Sequence, residues 1–148
     1  MSNDAAVTKD LLQTLEDGKD GFAKGAEKLD KDGEAELAAT FRELGSARAN
    51  LSAELEGLAA SYGDQLDESG SMAAKAHRGW MAVKDAIAGS DPDGVLDAAA
   101  TGEDHAVSEY EKALESDISP EFKTVLERQL DVIRTARDQV KALSQGRS

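Results

Sequence analysis

The 148-residue chain carries 17 basic against 30 acidic side chains, a formal net charge of -13, with 40% hydrophobic residues, 13 Gly, 2 Pro and no Cys. That length and apolar fraction suit one domain with a core of its own, residues 1–148 as a whole. The charge opposes phosphate backbones and anionic lipid surfaces, which require basic patches, and the lack of Cys excludes disulfides, thiolate nucleophiles and Cys-based metal sites.

The first predicted helix covers about residues 4–30. Leu11, Leu15, Gly18, Phe22, Ala26 and Leu29 recur at steps of three and four, with Asn3 or Asp4 as N-cap and Asp32-Gly33 as the stop. The second, about 34–62, has the clearest seam: Leu37, Phe41, Leu44, Arg48, Leu51, Leu55, Leu58 and Tyr62. A loop over Asp64–Gly70 leads to a shorter crossover helix, about 71–89, with Ala73, Ala76, Trp80, Val83 and Ile87 on one face. The run Gly89-Ser90-Asp91-Pro92-Asp93-Gly94 breaks it. A helix over about 93–115 follows, with the seam Leu96, Ala99, Glu103, Ala106, Tyr110 and Ala113. Ser119-Pro120-Glu121 opens the last helix, about 119–144, with the seam Phe122, Leu126, Gln129, Ile133, Ala136, Val140 and Leu143.

Long helices with one apolar stripe each satisfy one another by bundling. The expected fold is therefore all-α. Short links make the first and last pairs antiparallel, and the long link over 63–92 is the single crossover of a ferritin-like four-helix bundle, here carrying an extra short helix. A plain five-helix bundle is the alternative.

The chain also resembles a bacterial family of ferritin-like four-helix bundles, a domain of unknown function distantly similar to rubrerythrins. The residues carrying the resemblance are Asp17-Gly18, Gly21-Phe22, Phe41, Arg48, Ala53-Glu54-Leu55, His77-Arg78-Gly79-Trp80, Gly102-Glu103-Asp104, Tyr110 and Leu126-Glu127-Arg128-Gln129. The resemblance implies the fold and no activity. A role in stress response is a physiological expectation it leaves open.

A ferritin-like di-iron site takes two Glu-x-x-His pairs and two further Glu. Ala74 stands three residues before His77 and Gly102 three before His105, so no such pair exists. Where a rubrerythrin-like second helix would carry one, this chain has Arg48 and Leu51. Arg48, Glu103 and Gln129 interrupt three apolar seams near mid-helix, and a buried Arg48–Glu103 pair hydrogen-bonded by Gln129 is expected there. The alternative is that these side chains turn to the bundle edge and snorkel. Gly18 and Gly25 lie on or beside the first seam, either for close helix approach and room for Arg48 or as tolerated surface positions.

Residues 71–89 form the basic stretch, with Lys75, Arg78 and Lys84 against Asp85. It is expected to dock on the acidic bundle, or to offer His77, Arg78 and Trp80 as a partner surface. His105 and Glu109, at helical spacing, read as a solvated pair. Asp30-Lys31-Asp32-Gly33 fails as a calcium loop because Lys28 and Ala39 hold the first and twelfth ligand positions. Asn50-Leu51-Ser52, a glycosylation match, falls inside a helix. No nucleophile has a positioned base, so no catalytic residue is assigned.

The functional expectation is a non-enzymatic bundle, without cofactor, acting by self-association as a dimer or by binding a protein partner. Neither nucleic acid nor membrane is expected as a partner. The polar, acidic first dozen residues lack a signal pattern, which makes a cytoplasmic location the expectation. The alternative function is a metal-binding or redox protein with a non-standard carboxylate site from Glu16, Asp17, Glu103 and Glu109. A small-ligand carrier ranks third, because the large seam residues look able to fill the core.

Overall fold

A computed structural model describes residues 4–60 and 91–146. Among them are four helices: α1 (Asp4–Lys31), α2 (Ala35–Ala59), α3 (Pro92–Glu115) and α4 (Pro120–Gly146). The expected crossover helix over 71–89, with Trp80, and the end of the second seam at Tyr62 lie outside the described residues.

Local chemistry sets the helix ends. After α1, Gly33 has φ 82, a left-handed conformation open to Gly. The amide of Glu34 returns to the Leu29 carbonyl and that of Gly33 to Asp30, so the last carbonyls of α1 are satisfied. Pro92 opens α3 one residue earlier than its seam predicts. Pro needs no N–H donor at the first position, and the Asp91 side chain accepts from Gly94 N at 2.8 Å. Ser119 caps α4: its hydroxyl oxygen accepts from Phe122 N at 3.3 Å. It also ties α4 to α1, because Asp4 accepts from the Ser119 amide at 2.8 Å and from its hydroxyl at 2.6 Å.

The core forms two apolar clusters along the bundle. One joins Leu11 and Leu15 of α1, Leu55 of α2, Tyr110 of α3 and Phe122, Leu126 and Ile133 of α4. The other joins Phe22 and Leu29, Phe41, Val95 and Leu96, and Val140. The order of these residues gives the helix directions. α1 and α4 start at the first cluster, whereas α2 and α3 both start at the second. Since α2 and α3 run the same way, the end of α2 and the start of α3 lie at opposite ends of the bundle, about 37 Å apart for 25 residues at 1.5 Å each. No described helix is long and apolar enough to cross a membrane.

Candidate functional site

Between the two clusters lies a layer of polar side chains. Arg48, on the inner stripe of α2, is 1% exposed, and Glu103, on the inner stripe of α3, is 3% exposed. The Arg48 Nη2 donates to the Glu103 carboxylate. The guanidinium also lies over the Phe22 ring, 5.4 Å from Cζ to the centroid, where the ring's negative face favours a cation. Its Nη1 has no hydrogen-bond partner and is packed against α1 at Gly18.

Gly18 answers a steric need. A Cβ built there would lie 2.8 Å from Arg48 Nη1, so the guanidinium occupies the volume a side chain would take. Gly25 does the same for Phe41, whose ring edge would stand 2.7 Å from a Cβ. That ring is fixed in turn by Phe22, edge to face at 5.3 Å and 88°. Of the two readings left open for these glycines, close approach with room for Arg48 is the one the geometry takes.

Burial pushes the Glu103 carboxyl above the usual carboxylate range, and the Arg48 guanidinium pulls in the opposite direction without cancelling it. Tyr110 is also raised by burial, well above the ordinary phenol value. Its hydroxyl donates to Gln129 Oε1 at 2.6 Å.

Gln129 does not complete the Arg48–Glu103 pair, which corrects the expected three-residue cluster. Its Nε2 donates to the Leu51 carbonyl at 3.3 Å and to Glu54 at 2.7 Å, and its oxygen takes the Tyr110 proton. Both amide hydrogens are thus committed one to two turns along α2 from Arg48. The layer between the clusters is the Arg48–Glu103 bridge of α2 and α3; a second bridge, Tyr110–Gln129–Glu54, lies within the first cluster and joins α3, α4 and α2. Arg128 of α4 pairs with the same Glu54 at the surface.

The remaining carboxylates are held separately. Glu16 accepts from Ser52 Oγ at 3.0 Å and pairs with Lys19 at 2.9 Å; the Lys19 hydrogen bond is the main reason its carboxyl sits below the ordinary range. Buried Asp17 accepts from Gln13 at 2.9 Å. Glu109, 8% exposed, lies 3.5 Å from Lys112 and 3.9 Å from His105. The His105–Glu109 pair is therefore half inside the fold, where a fully solvated pair was expected. Among the described residues no three His, Asp or Glu side chains converge to hold a metal ion, so Glu16, Asp17, Glu103 and Glu109 do not form one group. His77, Arg78 and Trp80 lie outside the described residues.

A cavity of about 110 Å³ lies at one end between α1 and α3, lined by Val7, Leu11, Glu109 and Ala113 among others. It is apart from the polar layer. Tyr110 and Glu54 were not anticipated as members of the second bridge. Tyr110 had a readable signal, since a phenol on a buried seam requires a partner and Gln129 interrupts the facing seam.

Comparison with curated proteins gives no match. A family model described as a domain of unknown function, DUF2383, matches residues 5–116, which take in nearly all of α1 and the whole of α2 and α3. The stretch that supplies both Arg48 and Glu103 is thus the stretch by which the chain belongs to the DUF2383 family.

Proposed function

We propose that the chain is a non-enzymatic, ferritin-like bundle that acts through self-association or a protein partner in the cytoplasm. A guanidinium–carboxylate pair holds its centre in place of a di-iron site. The shared direction of α2 and α3 supports ferritin-like connectivity, because one long crossover is the connection that direction requires. The observation that carries the functional reading is the buried Arg48 side chain at mid-bundle. A fixed positive charge there repels a metal ion, and Glu103, the nearest inward carboxylate, is committed to it. The net charge of -13 favours cationic or apolar partners over nucleic acid or anionic membrane.

Elemental analysis of the purified chain, alongside its mass in solution, tests this reading. Far less than one iron, manganese or zinc per chain is expected, together with a mass above that of one chain or capture of a protein partner. Stoichiometric iron or manganese, lost when Glu103 is changed to Gln, would overturn it in favour of a carboxylate metal site.

A further inference from the structure

We infer that the cavity between the start of α1 and the end of α3 is a binding site for a short alkylammonium ion, with the ammonium group on Glu109 and the hydrocarbon part on Val7, Leu11 and Ala113. The inference stands apart from the self-association reading above and needs neither a second copy nor a protein partner.

Helix spacing builds the two walls. Val7 and Leu11 lie one turn apart on α1, and Glu109, Lys112 and Ala113 share one face of α3. Val7, Leu11 and Ala113 are buried and form the apolar part of the lining. Asp10 of α1, with Glu109 and Lys112, supplies charge. The Lys112 side chain is 58% exposed, so solvent reaches the site past it.

Glu109 is the group that points to a ligand. It is 8% exposed, and a carboxylate tolerates such burial when donors surround it. The nearest basic nitrogens stand off, Lys112 Nζ at 3.5 Å and His105 Nε2 at 3.9 Å, against the ~2.7–2.9 Å of a charge-assisted hydrogen bond. Among the described residues no hydrogen bond reaches this carboxylate, and His105 Nε2 is itself buried without a hydrogen-bond partner. A recessed acceptor short of donors thus borders a cavity.

Charge, donor count and size select the ligand class. Two carboxylates against one Lys in the lining, on a chain at -13, favour a cation. A metal ion fits poorly, because among the described residues no three His, Asp or Glu side chains converge to replace its water shell. An ammonium group brings three N–H donors of its own and needs only acceptors. The cavity of about 110 Å³ equals about four waters at ~30 Å³ each, which suits a nitrogen with a chain of roughly three or four carbons. Those carbons gain by leaving water for the apolar wall. Lys112 is the internal competitor, since its own ammonium stands near the same Glu109 oxygen and can swing out to solvent.

The test is a ¹H–¹⁵N NMR titration of the full chain with n-butylammonium chloride at pH 7 and constant ionic strength, with n-butanol and tetramethylammonium chloride as controls. Wild type, Glu109→Gln and Lys112→Gln are compared, and circular dichroism follows helix content. Saturable shifts confined to residues 7–11 and 109–116 are expected with n-butylammonium. Much weaker binding is expected of the controls, one lacking the charge and the other the N–H donors. Glu109→Gln, which keeps the shape and loses the charge, should bind about tenfold or more weakly at unchanged helix content. Lys112→Gln should bind more tightly than wild type. Wild type without saturable shifts overturns the site, as does a folded Glu109→Gln that binds like wild type. Tetramethylammonium binding as well as n-butylammonium also overturns it, because the cation is then a loose counter-ion of the acidic surface. Should Glu109→Gln lose helix, the exposed Lys112 position decides: tighter binding by Lys112→Gln supports the site, and unchanged or weaker binding overturns it.

Discussion

A guanidinium has five N–H donors, and Arg48 commits part of its fork to Glu103 while Nη1 rests on the backbone of α1 at Gly18. That arrangement couples two residues thirty positions apart. Gly18→Ala adds a methyl where Nη1 sits, and Nη1 cannot swing aside, because the other end of the fork is held by Glu103 and the flat of the group by Phe22. Gly18→Ala should cost about 1–2 kcal/mol by urea unfolding, overpacking outweighing the gain in helix propensity. In an Arg48→Leu background the same change should stabilise, and additive effects in the double variant would contradict the coupling. Glu103 and Tyr110 each have a folded pKa above the unfolded one, so each contributes stability that is complete below its unfolded value and is lost as pH rises through the folded value. For Glu103 the loss begins above its ordinary 4.5. Glu103→Gln, which has no proton to lose, should therefore gain on wild type as the pH is raised from 4.5, read from unfolding free energies at successive pH values. For Tyr110 the loss begins above its ordinary 10.0, and tyrosinate absorbance from this phenol should appear with unfolding rather than before it.

The elements themselves were largely written in the seams. Steps of three and four placed α1, α3 and α4 within about two residues of their observed ends, because apolar spacing and the Asp32-Gly33, Asp91-Pro92 and Ser119-Pro120 boundaries agree at each point. The polar interruptions at Arg48 and Glu103 were legible for the same reason. Gln129 was legible as an inward polar residue but not by its partners, since a seam gives the direction of a side chain and not its level against the facing helix. Tyr110 and Glu54 decide where Gln129 bonds, and their level depends on the axial offset of α3 and α2 from α4, which spacing along one helix does not contain. The Asp4–Ser119 contact was hidden for the same reason: it joins two helix starts 115 residues apart. As that contact caps α4 and fastens it to α1, Ser119→Ala should cost about 1–2 kcal/mol. Asp4→Ala should cost a similar amount, and the double variant little more than either alone. Melting curves check this; fully additive losses would mean that the two caps act independently.

At the scale of the whole molecule, the Arg48–Glu103 layer separates two apolar clusters that bury most of the large apolar side chains among the described residues. A buried pair of this kind is weak as a source of stability, because desolvation of both charges offsets their attraction. Its value lies in specificity: only one alignment of α2 against α3 brings Arg48 to Glu103. The unfolding free energies of wild type, Arg48→Leu, Glu103→Leu and the double variant, measured by urea titration at pH 8 in chelator, test this most directly. Arg48→Leu alone should lose about 3–5 kcal/mol by stranding Glu103, while the double variant should lose far less. Losses that simply add, or an Arg48→Leu chain as stable as wild type, would contradict a paired centre.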